Sequence, residues 1–285
     1  MIIVKLQGGL GNQLFQFAIG KHLSIKNNDI LKFDNSFLNI TDATNYTLRN
    51  YELGIFPIAS VIQNEEKYFG KTRWSRFRPR LDRIKYVGER SFNFMPEILD
   101  LTGNLYLEGF WQTEKYFLPI ADSIKKGLTF LPSLNVVNAK IAQQINLCNA
   151  VSIHVRRTDY VGKDLGATYH NLCSLTYYSD AIELIVKTVP DAVFFLFSDD
   201  IDWVKQNLLI PFPHYFIEHN SANESYVDMQ LMSMCKHHII ANSSFSWWGA
   251  WLNNYPNKIV IAPKKWFNNP EIDTFDIVPE SWLRF

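Results

Sequence analysis

The chain has 285 residues, of which 47% are hydrophobic and 20% charged, a composition typical of a globular protein. Lysine plus arginine equals aspartate plus glutamate at 28 each, so the net charge gives no electrostatic case for nucleic-acid binding. Three widely spaced cysteines form no CxxC pair and no zinc-type spacing with histidine, which indicates a reducing compartment. The sequence predicts neither a signal peptide nor a membrane span.

The first half of the chain opens with a strand, a glycine-rich turn and a helix. MIIVKLQ, GLGNQLFQFAIGKHLSIK and DILKFD predict a β-loop-α-β unit. After an irregular middle, residues 104–111 predict a strand and residues 113–128 a helix. This order predicts a Rossmann-like first domain of residues 1–148. Within the middle, residues 71–90 are basic and aromatic, which is typical of a solvated loop or, alternatively, of peripheral contact with an anionic membrane.

The second half alternates strands and helices more regularly. Strands are predicted at 151–155, 192–197, 214–219, 237–242 and 257–263. Helices are predicted between them at 176–189, 201–208, 225–236 and 245–254. This alternation predicts a parallel, doubly wound sheet and a second Rossmann-like domain of residues 149–285. Ligands of such α/β sheets bind beyond the carboxyl ends of strands, which for two such domains predicts an interdomain cleft.

Four motifs stand at predicted strand ends, and each has an ordinary explanation. The glycines of GGLGNQ (8–13) let backbone amides approach an anion, or only form a tight turn. Arg156 and Arg157 suit a diphosphate, or form structural ion pairs. Asp199 and Asp200 suit a ribose, or cap the next helix. The stretch NSSFSWWGAWL (242–252) opens a helix as an anion cradle, or as a common N-cap. Together they predict a site for a nucleotide diphosphate.

These motifs also resemble those of a known family. HVRRTDY, GGLGNQLFQFA, FSDD followed by Trp203, and DMQLMSMCKHHIIANSSFSWWGAWL together resemble the α-1,2-fucosyltransferases of glycosyltransferase family 11, over nearly the whole chain. The resemblance implies the two-Rossmann GT-B architecture and the donor GDP-β-L-fucose. It also implies inverting, metal-independent transfer of fucose to the 2-hydroxyl of a β-galactoside. One departure is Thr158, where many bacterial members carry glycine; it removes no functional group.

The resemblance further implies donor-binding roles. Arg156 and Arg157 would hold the phosphates, and His154 would lie by the guanine or ribose. Asp228 stands 15 residues before Ser243, the offset of a guanine-binding aspartate in the core α-1,6-fucosyltransferases. A helix-surface aspartate is the alternative. The other residues assigned to the donor are Gly9, Gly11, Asn12, Asp199, Asn242, Ser243, Ser244 and Ser246.

Catalysis needs charge stabilisation on the departing GDP and a base for the acceptor hydroxyl. Arg157 and the amides near Asn12 are assigned to the first task. Asp164 is the hypothesis for the base, because the α-1,6-fucosyltransferases carry a glutamate at the matching place. Asp159 and His170 are the alternatives, although Asp159 also suits an ion pair with an arginine.

The acceptor site, cofactors and location complete the prediction. The residues assigned to the acceptor are Glu108, Trp111, Gln112 and His170. No metal or other cofactor is expected, and the DxD-like triplet at 200–202 is interpreted as a helix start. Without a membrane span, the resemblance implies a bacterial cytoplasmic enzyme at the inner membrane, which builds O-antigen or capsule on a lipid-linked acceptor. The alternatives are a fucosyltransferase of another linkage, a non-catalytic GDP-sugar-binding protein, and a carbohydrate-binding module.

Overall fold

The computed structural model describes residues 1–39, 49–58, 84–157, 173–220 and 224–285. It forms two compact units: Met1–Leu131 with Phe275–Ile277, and Pro132–Thr274 with Val278–Phe285. The division falls before the helix Val136–Leu147 and thus before the predicted boundary at 148/149. The physical reason is burial, because Ala142 and Ile145 of this helix pack in a core cluster of the second unit.

The first unit contains a sheet of four parallel strands in the order β2-β1-β4-β3. These are β1 (Ile2–Lys5), β2 (Leu31–Asp34), β3 (Lys85–Gly88) and β4 (Leu105–Glu108). Its described α-helices are α1 (Leu10–Lys26) and α2 (Ala121–Gly127). Its described 3-10 helices are Ser36–Asn39, Leu53–Ile55, Pro96–Asp100, Glu114–Tyr116 and Leu118–Ile120.

One predicted helix of this unit is only partly correct. The stretch 113–128 begins with two 3-10 helices and becomes α-helical only at Ala121. Pro119 lies in the second 3-10 helix and has no N–H for a hydrogen bond, so an α-helix cannot run through it unbroken. The strand β3 was not predicted, because it follows the irregular middle of the chain.

The second unit contains six parallel strands in the order β10-β9-β8-β5-β6-β7. These are β5 (Asn149–Val155), β6 (Ala192–Ser198), β7 (His214–Ile217), β8 (His237–Ile239), β9 (Val260–Ala262) and β10 (Leu283–Arg284). Its described helices are α3 (Val136–Leu147), α4 (Leu175–Thr188), α5 (Ile201–Asn207), α6 (Ser225–Met234) and α7 (Ser244–Leu252). The α/β class with two parallel sheets is confirmed.

Both faces of the second sheet are buried, which explains its continuous apolar strands. Phe194 and Leu196 of β6 pack in one core cluster, whereas Phe195 and Phe197 pack in another. Successive side chains of a strand point to opposite faces, so helices on both sides demand an apolar residue at every position.

Each sheet reverses its winding direction beside its first strand. In the second unit the chain runs from β5 outward to β6 and β7, then returns to place β8 on the other side of β5. In the first unit, β1 lies between β2 and β4. The carboxyl ends at such switch points are where open α/β sheets bind ligands.

Candidate active site

Three of the predicted motifs lie at one edge of the second sheet. Strand β5 pairs in parallel with β6 on one side and with β8 on the other. Their carboxyl ends therefore bring together the motifs that begin at Arg156, Asp199 and Asn242. The fourth motif, GGLGNQ, lies at the matching edge of the first sheet, directly after β1.

Both arginines at this edge have carboxylate partners. Arg156 Nε lies 3.3 Å from Asp199 Oδ2, and Arg157 Nε lies 3.5 Å from Asp200 Oδ2. The backbone N–H of Arg157 donates to Asp199 Oδ1 at 2.9 Å. The structural ion pairs that were the ordinary alternative are thus present. They orient the two guanidinium groups, and 22% and 17% of the two side chains stay exposed.

Arg157 is held most firmly. Its guanidinium carbon lies 3.6 Å from the ring centroid of Trp203, a close cation–π stack. Asp200 Oδ1 accepts the backbone N–H of Trp203 at 3.2 Å, so the predicted cap of helix α5 is also present. Arg157 Nε is buried and makes no hydrogen bond within the described part of the chain. The stack was not predicted, although Trp203 is only three residues after the FSDD motif.

His154 lies two positions before Arg156 in strand β5 and is buried. Burial, and secondarily the charge of Arg156, lower the pKa of His154 to about 3, so its imidazole is neutral. Its Nδ1 is buried without a hydrogen-bond partner among the described residues. Its ring centroid lies 5.8 Å from that of Phe245 in the first turn of α7. A neutral histidine here suits a nucleoside better than it suits a phosphate.

The serine-rich stretch forms the N-terminus of α7. Ser243 is the N-cap, and its Oγ accepts the N–H of Phe245 at 3.3 Å. Ser246 Oγ donates to the carbonyl of Ser243 at 3.3 Å, and Asn242 Nδ2 donates to the carbonyl of Trp266 at 2.9 Å. The capping explanation therefore holds for Ser243. Ser244, the first helical residue, is half-buried, while the tryptophans behind it form the core.

Asp228 takes part in a polar network beyond the end of β7. Asn220 Nδ2 donates to Asp228 Oδ1 at 2.6 Å, and Asn138 Nδ2 donates to Asn220 Oδ1 at 2.8 Å. His219 Nε2 lies 2.7 Å from Asn138 Oδ1. Burial raises the pKa of Asp228 to about 7, although the hydrogen bond from Asn220 lowers it. Asp228 is therefore not the isolated surface carboxylate of the alternative interpretation.

In the first unit, glutamines of α1 hold the loop after β1. Gly8 has a φ of 78°, and a Cβ there would lie 2.3 Å from the Nδ2 of Asn12, so only glycine fits. Gln13 Nε2 donates to the carbonyl of Gly8 at 2.9 Å, and Gln16 Oε1 accepts the N–H of Gln7 at 3.0 Å. The candidate residues Gly9 and Gly11 are the N-cap and the second residue of α1.

The residues predicted for the acceptor separate into different environments. Gln112 Nε2 donates to Asn12 Oδ1 at 2.7 Å, so these two candidates do meet. Glu108 forms an ion pair with Lys5 at 2.6 Å. Trp111 is fully buried, with its ring centroid 5.5 Å from that of Tyr116. This corrects the expected role of Trp111, because a ring packed in the core cannot face a sugar.

Sequence reasoning missed Glu89, which follows β3. Its two carboxylate oxygens accept the N–H groups of Phe110 and Trp111 at 2.7 and 2.8 Å. Desolvation raises the pKa of Glu89 to about 7, against the lowering effect of these two hydrogen bonds. No sequence signal indicated this residue, because its partners are backbone groups in the turn that follows another strand, β4.

Several candidates lie outside the described residues: Asp159, Asp164, His170 and Thr158, with most of the basic stretch 71–90. Among the residues that the structure does describe, no three His, Cys, Asp or Glu side chains are grouped as metal ligands. The triplet at 200–202 is the helix start that was predicted. None of the helices in the described ranges is both long and apolar enough to cross a membrane.

In an α/β protein, two arginines at a sheet switch point suit an anionic, nucleotide-like ligand. Comparison with known proteins identifies a family. Residues 85–284 match the model of the family described as "Glycosyl transferase family 11". An alpha-1,2-colitosyltransferase of Escherichia coli is 37% identical over 294 residues, covering 100% of this chain and 98% of the relative. The O-antigen biosynthesis glycosyltransferase WbnK of Escherichia coli is 32% identical over 310 residues, covering 98% of each. The chain therefore belongs to glycosyl transferase family 11.

A solved structure is also similar in part. The crystal structure of fucosyltransferase NodZ from Bradyrhizobium superposes with a TM-score of 0.49 at 15% identity, covering 91% of this chain and 94% of that one.

Proposed function

We propose that this glycosyltransferase moves L-fucose from GDP-β-L-fucose to the 2-hydroxyl of a terminal β-galactoside, with inversion at the anomeric carbon. The observation that carries the proposal is the pair Arg156 and Arg157 at the carboxyl ends of the second sheet, which we call the arginine edge. It lies in a chain that belongs to glycosyl transferase family 11. Colitose, which is L-fucose without its 3-hydroxyl, is the second candidate sugar, because the 37% identical relative is named a colitosyltransferase.

The arginine edge suits the diphosphate of the donor. A guanidinium carries five N–H donors in a planar fork, more than one carboxylate can accept. Trp203 and Asp200 hold the guanidinium of Arg157 in place, so it need not reorganise as charge develops on the departing GDP. Arg156 is proposed to contact the same diphosphate, together with Ser243 and the first amides of helix α7.

The Asp228 network suits the guanine base. Guanine presents two adjacent N–H groups, N1–H and N2–H, which one carboxylate can accept together. Asp228 has a raised pKa because, among the residues that the structure describes, burial is offset by only the one hydrogen bond from Asn220. A base that supplies two donors would stabilise the ionised carboxylate, and adenine offers no such pair. His154 and Asp199 are proposed to lie by the guanine or ribose.

The reaction breaks the bond between the anomeric carbon and the phosphate oxygen, and the electron pair leaves with GDP. The acceptor oxygen forms the new bond from the opposite face, through an oxocarbenium-like state. Its proton passes to a general base, for which Asp164 remains our hypothesis and Asp159 and His170 the alternatives. Near-normal turnover of an Asp164→Asn variant would exclude Asp164. Independence of metals is also proposed.

The biological setting follows from the named relatives. One of them is an O-antigen biosynthesis glycosyltransferase, which supports a role in the synthesis of bacterial surface glycan. We propose that the enzyme works in the cytoplasm at the inner membrane, on a galactoside that is lipid-linked. The basic stretch 71–90 is proposed to provide peripheral contact with anionic lipid.

The deciding experiment incubates the purified protein with GDP-fucose or GDP-colitose, and with lactose or N-acetyllactosamine, in EDTA. GDP release gives the rate, and NMR of the product gives the linkage. An α-1,2-linked product supports the proposal, and the ratio of kcat/KM between donors identifies the sugar. A site that hydrogen-bonds the 3-hydroxyl should reject colitose by about 10⁴-fold, whereas an apolar pocket discriminates only about 10²-fold. GDP binding without turnover of any acceptor would favour a non-catalytic GDP-sugar-binding protein.

A further inference from the structure

A strained turn follows the carboxyl end of β4 in the first unit. Trp111 has a φ of 58°, in the left-handed region that large side chains rarely adopt. Such strain persists only where the surroundings hold it, and it concentrates at functional sites. The group that holds it is the carboxylate of Glu89, which accepts the N–H of Trp111 at 2.8 Å and that of Phe110 at 2.7 Å.

Neighbouring residues also constrain the turn that this carboxylate holds. A Cβ on Gly109 would lie 2.4 Å from the Cβ of Glu89, so glycine is required for the turn to approach β3. Gln16 Nε2, from helix α1, donates to the carbonyl of Gly109 at 3.0 Å. The N–H of Thr113 donates to the carbonyl of Trp111 at 2.8 Å. The turn is therefore fixed at its start, at its strained residue and at its exit.

Because the turn is fixed, the position of Gln112, the residue after Trp111, is fixed as well. Its Nε2 donates to Asn12 Oδ1 at 2.7 Å, which fixes the plane of the carboxamide. Only 7% of the residue is exposed, and its Oε1 is buried. This oxygen accepts no hydrogen bond from the described residues. A buried acceptor without a donor costs free energy unless a ligand supplies the donor. A sugar hydroxyl is a neutral donor that such a carboxamide oxygen can accept.

We propose that Gln112 Oε1 accepts a hydroxyl of the β-galactoside acceptor, and that Glu89 is the positioning residue that holds Gln112 for this contact. The proposal rests on the proposed function, since it names the acceptor of that reaction. Glu89 acts through the turn, because its two oxygens accept the backbone N–H groups of Phe110 and Trp111.

Two variants test the proposal. Gln112→Met keeps the length of the side chain and removes Oε1, and with it the Nε2 group that donates to Asn12. Glu89→Gln replaces one oxygen by an NH2 group, which cannot accept an amide N–H. Each variant is expected to raise KM for lactose or N-acetyllactosamine by about tenfold or more, the loss of one hydrogen bond in a buried site. The rise in KM for the acceptor should exceed any rise in KM for the GDP-sugar, a split that simple loss of stability would not produce.

Glu97→Gln is the matched control, because Glu97 is an exposed carboxylate of the same unit that pairs with exposed Arg90. Wild-type acceptor KM in Gln112→Met would overturn the inference and leave the proposed function standing. Should the wild-type protein transfer no sugar, the proposed function fails, and calorimetry with lactose in the presence of GDP decides the inference. Weaker lactose binding by Gln112→Met than by wild type would then support it, and equal or absent binding by both would overturn it.

Discussion

The two sheets carry different chemistry at equivalent places. Each has a switch point beside its first strand, and each gathers polar groups at the carboxyl ends there. At the second sheet these groups are arginines paired with aspartates, and one guanidinium is stacked on an indole. At the first sheet they include four carboxamides, those of Asn12, Gln13, Gln16 and Gln112.

The two sheets have their polar groups at the same topological position, beside a switch point. They differ in the types of side chain there, and therefore in the ligand that each one suits. A charged, preorganised edge suits an anion whose charge grows during the reaction. Carboxamides offer both donors and acceptors without charge, which suits the hydroxyls of a sugar. The first sheet keeps a carboxylate as well, but the two oxygens of Glu89 accept backbone N–H groups, so this side chain shapes the turn after β4.

Among the substitutions that test this difference between the two sheets, the largest effect is expected at Arg157. Arg157→Ala is expected to lower kcat/KM with the GDP-sugar by about 10²-fold or more, since one preorganised donor to a developing anion contributes about 3 kcal/mol. Steady-state kinetics at varied donor concentration measure this loss. Circular dichroism should show a folded protein, because Arg157 lies beyond the end of strand β5 and no core contact of that strand is lost.

Arg90→Ala is the control for this variant. Arg90 is an exposed arginine of the first unit that pairs with Glu97. It should retain wild-type kinetics, which would show that the effect at Arg157 does not come from the loss of one positive charge anywhere on the protein. Wild-type kinetics in Arg157→Ala would contradict the assignment of this edge to the phosphates.

The strands that could be predicted are those with a strong local pattern. AVFFLF (192–197) is apolar at every position, and it lies in a strand buried on both faces. The glycine turn and helix α1 were predicted from residues that follow each other directly in the chain. The grouping of the arginine, aspartate and serine motifs followed from one topological rule, that parallel strands end at the same edge.

What could not be predicted depends on partners that are far apart in sequence. Strand β3 has four residues, two of them exposed, and forms because it pairs with β4. Glu89 reaches the backbone of residues 110 and 111, and Asp228 meets Asn220, which itself bonds Asn138. None of these contacts leaves a periodic pattern, because each needs the folded arrangement of several elements.

A second test separates the guanine site from the arginine edge by its response to pH. The pKa of Asp228 is about 7 in the free protein, and donors from guanine would lower it, so the ligand prefers the ionised form. Affinity for GDP-fucose should therefore fall as pH decreases through 7. Between pH 8 and pH 6 the ionised fraction falls about tenfold, and the Kd measured by calorimetry should rise by roughly that factor.

Asp228→Asn is the control for the pH response. It should bind GDP-fucose weakly, lose the preference for GDP over ADP, and show no change in affinity between pH 6 and pH 8. A raised pKa in the folded protein stabilises the fold below the unfolded pKa near 4, and this contribution is lost as pH rises through 7. The variant should therefore melt no lower than wild type at pH 8. A wild-type Kd that does not vary with pH would contradict the guanine assignment.

The smallest expected effect concerns how the arginine edge is held. Trp203→Leu removes the stack at 3.6 Å but keeps an apolar side chain over Arg157. A cation–π contact contributes about 1 kcal/mol, so kcat/KM for the donor should fall about fivefold. Because the indole acts only through the guanidinium, adding Trp203→Leu to Arg157→Ala should cost almost nothing further. A full additive loss in the double variant would mean that Trp203 contacts the donor itself, and the edge would then combine charge with an aromatic surface instead of charge alone.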